Sequence, residues 1–208
     1  MKRIVIKPES DLQAALALAA RAAADPEAET RLAERLESTR AIVEAVRERG
    51  DAAVAEYTSR FDKVDLAPER FEVSPEEIDS AMSGLDRDLV AALERAHANI
   101  VRFHEKNLRQ SWEETDADGT VLGQRVTAVS SAGVYVPGGT AFYPSSVLMN
   151  IVPARVAGVE EIVMVSPPSF KGSVHPMVLA AARIAGATRV FRVGGAQSVA
   201  ALAYGTEH

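Results

Sequence analysis

The sequence contains no cysteine. That excludes a disulfide scaffold, thiolate zinc ligation and a cysteine nucleophile. It lacks any apolar run long enough to span a bilayer and any N-x-[ST] acceptor. The opening residues MKRIVIKPES turn polar too soon for a signal peptide. Basic residues are in deficit: 23 Lys and Arg face 29 Asp and Glu, a net charge of −6. No basic surface of the kind that neutralises nucleic-acid phosphates is therefore expected. Neither Walker A nor G-x-G-x-x-G occurs. These absences lead to the expectation of a soluble cytoplasmic chain with no nucleic-acid partner and no membrane. What is present is ordinary for a globular protein: 208 residues, 47% hydrophobic and 25% charged. That length can bury a core without cross-links.

Charge is distributed unevenly. Residues 1–128 carry 18 Lys/Arg and 26 Asp/Glu, whereas residues 129–208 carry 5 and 3. The charge-rich part reads as amphipathic helices, the charge-poor part as buried parallel strands with covering helices. A domain boundary is placed near residue 128. In the first part, a strand is expected at 4–6 and helices at 12–24 and 30–49. Gly50 suits a helix C-cap and Asp51 the N-cap of the next helix. Ser74-Pro75-Glu76-Glu77 has the form of a capping box with proline at the first helical position. Leu89, Leu93, Ala96, Ile100 and Phe103 then form one apolar stripe at 4,3,4,3 spacing, best read as core or helix-pairing surface. His97 and His104 lie seven apart on that helix, which is not a metal-pair spacing. A turn at 116–119 precedes an expected strand at 121–126.

The second part contains an internal repeat. Ala154-Arg-Val-Ala-Gly-Val-Glu-Glu-Ile-Val-Met-Val165 aligns without gaps on Ala182-Arg-Ile-Ala-Gly-Ala-Thr-Arg-Val-Phe-Arg-Val193 at an offset of 28 residues. Each copy ends a helix at Ala-Gly and enters a β-branched run, the length of one βα unit. Gly158 and Gly186 are placed as left-handed helix caps. The expected order is strand 133–136, helix 144–157, strand 161–165, helix 175–185, strand 189–193 and helix 196–204. The fold class is α/β: an N-terminal helical segment of one domain, then a Rossmann-like parallel βαβαβα unit.

In such a sheet, ligands bind beyond the carboxyl ends of the strands. Two glycine pairs fall there, Gly138-Gly139 and Gly194-Gly195, the second leading into a helix whose N-terminus favours an anion. Tyr135, at a strand end, can stack on a ring or pack in the core. Gln197, on the first turn after Gly194-Gly195, can hydrogen-bond a ligand or cap its own helix. Ser145 and Ser146 can bind an anion or satisfy local amides. Lys171 and His175 flank a loop, and His175-Pro176 reads as a helix start. His208 is the last residue, and nothing is expected to anchor it. No Ser–His–Asp order, carboxylate pair or metal cluster stands out.

Several of these segments resemble histidinol dehydrogenase. They are Gly133-Val-Tyr-Val-Pro-Gly-Gly-Thr-Ala, Tyr143-Pro-Ser-Ser-Val-Leu-Met-Asn150, Val152-Pro-Ala-Arg-Val-Ala-Gly-Val159 and Val193-Gly-Gly-Ala-Gln-Ser-Val-Ala-Ala-Leu-Ala-Tyr-Gly-Thr206. Arg49-Gly-Asp-Ala-Ala, Arg60-Phe-Asp62 and Ile100-Val-Arg-Phe-His-Glu105 fit as well. The resemblance implies an NAD- and zinc-dependent homodimeric enzyme of histidine biosynthesis. Such an enzyme oxidises L-histidinol to L-histidine through the aldehyde in two hydride transfers. It implies NAD contacts at Tyr135 and Gln197. The family chain continues well past residue 208, and its zinc ligands, Glu–His pair and most substrate contacts lie there. No catalytic or metal residue is therefore assigned: His97, His104, His175 and His208 match none of them. The run 127–132 departs from the family pattern, with no proline near Ala128. The chain alone is expected to be inactive. The alternative is a non-catalytic NAD-binding or dimerisation module.

Overall fold

The computed structural model describes Gln13, Leu16, Ala17 and residues 26–208 apart from Thr140. The expected strand at 4–6 and most of the helix at 12–24 lie outside the described residues. The chain divides into two compact units, Met1–Ile42 and Val43–His208. Helix α1 spans Pro26–Arg49. Within the first unit Leu32 and Leu36 are exposed.

Helix α1 ends at Gly50, whose φ of 52° is the left-handed turn that glycine makes without a Cβ penalty. Gly50 itself N-caps α2 (Asp51–Asp62). Asp51 is thus the first helical residue, not the cap expected from the sequence. Its carboxylate is turned away from the helix amides to other partners. The capping box forms as expected at α3 (Pro75–Ser83): the Glu77 amide donates to Ser74 Oγ at 3.2 Å, and the Ser74 amide donates to Glu77 Oε2 at 3.0 Å. Asp86 caps α4 (Arg87–Glu105) by accepting from the Asp88 and Leu89 amides. The stripe on α4 is core at Leu93, Ala96 and Ile100 but stops there. Phe103 is exposed, and Val101 packs inward instead. A short antiparallel hairpin follows, β1 (Trp112–Thr115) with β2 (Val121–Gln124). All eight residues are exposed, so β1 has no in/out alternation from which sequence could mark it.

The remainder is the βαβαβα unit: β3 (Ser131–Tyr135), α5 (Pro144–Val156), β4 (Glu161–Val165), α6 (Pro176–Ala185), β5 (Arg189–Phe191) and α7 (Gly195–Tyr204). The three strands are parallel in the order β3-β4-β5. The two repeat copies occupy equivalent places, each ending a helix and entering β4 or β5. Gly158 and Gly186 both turn left-handed there, at φ 89° and 88°. Arg155 ties the copies together by donating to the carbonyls of Val159, Glu160 and Gly186.

Pleating divides the sheet residues between two faces. Val134, Ile162, Met164 and Val190 join Val147, Ile151, Val178 and Ala182 of α5 and α6 in the main core. Ile78 of α3 and Leu93 of α4 close that core from outside. Gly133, Val163, Val165 and Phe191 face the other way, toward α7: a Cβ on Gly133 would lie 2.9 Å from Leu202 Cδ1. The outer edge of β5 is covered by residues 71–73 running antiparallel. The Val73 amide donates to Val190 O and the Arg192 amide to Phe71 O, both at 2.8 Å. That stretch comes from the charge-rich part of the sequence and completes the sheet of the charge-poor part. Among the described residues no helix is long and apolar enough to cross a membrane.

Candidate nucleotide site at the strand ends

The carboxyl ends of β3, β4 and β5 issue into three loops, at 136–143, 166–175 and 192–194, that touch one another. The Gly139 amide donates to Ser169 Oγ at 3.2 Å, and a Cβ on Gly138 would meet the same hydroxyl at 2.8 Å. A Cβ on Gly194 would lie 2.4 Å from Pro167 Cγ and 2.9 Å from its Cα. The first and third glycine loops are therefore packed against the middle one, and only glycine fits at 194.

Gln197 stands on the first turn of α7 directly behind this contact. It is fully buried, and neither its Oε1 nor its Nε2 has a hydrogen-bond partner. The amide folds back over Gly195, whose φ is 65° and whose missing Cβ leaves the space: Oε1 lies 2.5 Å from where that Cβ would be. No side chain caps this helix: its N-cap is Gly194, without a side-chain hydrogen bond, and Ser198 Oγ only donates to Gly195 O. Of the two readings open from sequence, Gln197 as a helix cap is thus excluded. An unpartnered buried primary amide costs about 1–3 kcal/mol, which a bound polar group recovers.

Tyr135 ends β3 at 39% exposure, so it is not a core residue, and its ring is available for stacking. It lies at the carboxyl end of the sheet, as Gln197 does, but on the outer strand. Ser145 is exposed and Ser146 half-buried on the first turn of α5. Lys171 sits exposed at φ 53°, its Nζ 5.5 Å from the centre of the Phe170 ring. His97 and His104 are half-buried on α4, and neither falls in a three-donor cluster among the described residues.

His175 does start its helix, by accepting from the Met177 amide at Nδ1 (3.2 Å). The sequence gives no hint of its other role. The imidazole stacks on Phe142 at 3.5 Å between ring centres and meets the edge of Phe170 at 4.6 Å, joining the loops after β3 and β4. Burial in this apolar setting holds its pKa below the usual histidine value. The folded chain thus resists a proton that the unfolded chain accepts near pH 6.5. Stability from this group is complete above that pH and declines as pH falls toward the lower folded pKa. His175→Phe should keep the stack and flatten this part of the stability curve, read from denaturant midpoints between pH 7.5 and 5.

His208 is anchored, contrary to expectation: its amide and its Nδ1 both reach Asp51 Oδ2, at 3.1 and 2.8 Å. This contact raises the imidazole pKa. Asp51, Glu207 and His208 are the one cluster of three metal-type donors found among the described residues. They lie at the amino end of the sheet. His208 lines a cavity of about 290 Å3 along the α7 face together with Ser131, Glu161 and Arg189, which begin the three strands. Neither Tyr135 nor Gln197 lines that cavity.

The histidinol dehydrogenase family profile matches residues 26–208. Among curated proteins, histidinol dehydrogenase of Heliobacterium mobile is 55% identical over 164 residues, 79% of this chain and 38% of that one. The enzyme of the same name from Syntrophotalea carbinolica is 48% identical over all 208 residues, which make up 47% of its length. The crystal structure of histidinol dehydrogenase from Elizabethkingia anophelis superposes with a TM-score of 0.77 at 30% identity. The match covers 83% of this chain and 39% of that one. The chain thus spans less than half the length of these relatives.

Proposed function

The chain belongs to the histidinol dehydrogenase family, and on that premise we propose that it carries the part of the enzyme that grips NAD. The observation that carries this reading is the Gln197 amide, buried and unpaired beside a glycine turn at a helix N-terminus. A dinucleotide fits there. The α7 N-terminus favours its pyrophosphate, Gln197 supplies both a donor and an acceptor, and Tyr135 offers a ring face. When bound, NAD supplies the hydride acceptor for oxidation of L-histidinol through the aldehyde to L-histidine. This chain's residues bind and orient the nucleotide, and none of them is assigned a proton-transfer step.

Zinc does not fit the described residues near this site. Asp51, Glu207 and His208 are at the far end of the sheet from Gln197, and the Asp51–His208 contact already occupies Oδ2 and Nδ1. In this reading zinc, the proton-transferring pair and most of the substrate site belong to the length of the relatives that this chain does not span. The chain is, in this reading, part of a homodimeric cytoplasmic enzyme.

Isothermal titration of the chain with NAD tests the reading. Saturable binding is expected, weakened about tenfold or more in Tyr135→Ala, the scale of one lost aromatic stack. Zinc and L-histidinol added to the NAD complex should give no NADH absorbance. A flat titration would favour a purely structural module.

A further inference from the structure

Tyr135 ends β3, and Gln197 follows β5. Strand β4 lies between those two in the sheet. A ligand touching both residues therefore crosses the end of β4 and rests on the loop that leaves it, 166–175. Two contacts seat the first loop on this middle one. The Gly139 amide donates to Ser169 Oγ at 3.2 Å. The second contact is a group of three rings. His175 lies on Phe142 with ring centres 3.5 Å apart and planes 20° from parallel, and Phe170 meets both rings edge-on. The middle loop in turn backs the third, where Pro167 fills the space beside Gly194.

Only a neutral His175 fits this arrangement. Its Nδ1 accepts from the Met177 amide, so that nitrogen carries no proton. Protonation would set a donor against a donor at the first turn of α6, where the helix dipole also repels a cation. The ring must then leave its capping position, which is the position that lays it on Phe142. Cation–π attraction to the two phenylalanines opposes that release. The neutral ring is nonetheless favoured in the folded chain, by burial and without help from a charged neighbour. The charged and titratable groups on the surrounding elements are few. Lys171 is on the same loop, with Nζ 5.5 Å from the centre of the Phe170 ring, and Tyr143 ends the first loop. Arg192 donates to Ser173 Oγ and pairs with Glu77 of α3, and Arg183 of α6 pairs with Asp79 of α3. Arg155 of α5 is bonded to backbone carbonyls at the far end of its helix. Of these residue types only histidine ordinarily changes charge between pH 5 and 8. His97 and His104 on α4, and His208 at the amino end of the sheet, share that range and serve as internal controls.

We infer that neutral His175 is a positioning residue for the nucleotide: it keeps the loop after β3 seated on the loop after β4, and its protonation loosens that seat and weakens binding. This role presupposes the nucleotide reading above. His175 touches no ligand itself. It acts through Phe142, Phe170 and the Gly139–Ser169 contact, which together shape the surface between Tyr135 and Gln197. The coupling is reciprocal: if protonation weakens binding, a bound nucleotide must weaken protonation by the same factor.

The test follows the 208-residue chain by nuclear magnetic resonance and by NAD titration between pH 7.5 and 5. Without NAD, the Gly139 and Met177 amide signals should move along the titration curve of the His175 imidazole. NAD affinity should fall about fivefold or more from pH 7.5 to 5, and saturating NAD should lower the proton affinity of His175 by the same factor. His175→Phe keeps a ring on Phe142 but takes no proton, so it should abolish the fall. His175→Asn keeps a cap acceptor but loses the ring, so it should bind NAD about fivefold or more weakly already at pH 7.5, again without a pH slope. A merely structural histidine would lower Tm in these variants and leave the slope in place, as would a slope owed to His97, His104 or His208. Should a variant misfold, the effect of NAD on the His175 titration in the unsubstituted chain decides alone. Affinity constant with pH overturns the inference, as does a slope that survives His175→Phe or a Gly139 signal that ignores the imidazole. Absence of NAD binding at every pH, by contrast, overturns the nucleotide reading and the inference with it.

Discussion

Glu77→Ala should destabilise the chain by about 3 kcal/mol, the largest single loss expected from an exposed-surface substitution. Arg192 is 4% exposed, and its guanidinium donates to Glu77 Oε1 at 2.9 Å, to Glu77 Oε2 at 2.5 Å and to Glu72 O at 3.0 Å. Alanine leaves a buried cation without its counter-ion, a change worth about 3–5 kcal/mol where both partners are buried. Glu77 is half-exposed, so about 2 kcal/mol is the fitting share. The same carboxylate closes the capping box on Ser74, and losing it adds about 0.5–1 kcal/mol. Urea denaturation reads the total. A loss under about 1 kcal/mol would show that the pair contributes no more than a surface ion pair. Glu77→Gln should fall between, since the amide can still accept from the Ser74 N–H.

The pH response of this pair opposes any gain on acidification. Arg192, by hydrogen bonding first and charge second, holds the Glu77 carboxyl below the usual carboxylate range. The folded pKa is therefore lower than the unfolded one. Its stabilisation is complete above the unfolded value, about 4.3, and drains away as pH falls through the folded value. Glu77→Gln should remove that acid limb and leave the His175 limb, at higher pH, unchanged.

Gln197→Met should raise stability while weakening nucleotide binding. A methionine side chain has nearly the length of glutamine and no polar atoms to leave unpaired. Since both polar atoms of the Gln197 amide are buried without partners, their removal relieves a desolvation cost of about 1–2 kcal/mol. For a chain of this length that corresponds to a Tm about 2–8 °C higher. NAD affinity should fall about tenfold or more, the loss of one hydrogen bond of about 1.4 kcal/mol or better. The opposite signs are diagnostic. A glutamine kept for packing gives a lower Tm and unchanged affinity. A glutamine kept for a ligand gives the reverse, the pattern of a site that gives up stability for function. Differential scanning calorimetry and NAD titration on the same preparation separate the two.

Tyr135 and Gln197 could be chosen from the sequence because strand ends and the helix starts after them are local patterns. A β-branched run followed by Gly-Gly and then an Ala-rich helix can be read from a dozen residues. The 28-residue repeat, the capping box at Ser74 and the left-handed caps at Gly158 and Gly186 are of the same kind, set by bonds between residues at most a few apart. So is the order of the βαβαβα unit. Sequence reading failed where the deciding contact was distant or where periodicity was missing. Strand β1 has no buried face. Phe103 has helical spacing, but among the described residues it stays exposed. Asp51 could not be told from a cap without seeing that Gly50 takes that position and that His208, 157 residues on, takes its carboxylate.

By itself, then, the sequence determined the alternation of strands and helices, the turns between them and the family, because these follow from local periodicity and from motifs contiguous in the chain. Only the tertiary structure decided which edge of the sheet is closed by residues 71–73 and which stays open. It also paired Glu77 with Arg192 across 115 positions and left the Gln197 amide with no partner. Those outcomes depend on which backbone lies beside which. Packing, rather than any neighbour in sequence, determines whether a buried polar group finds a bond.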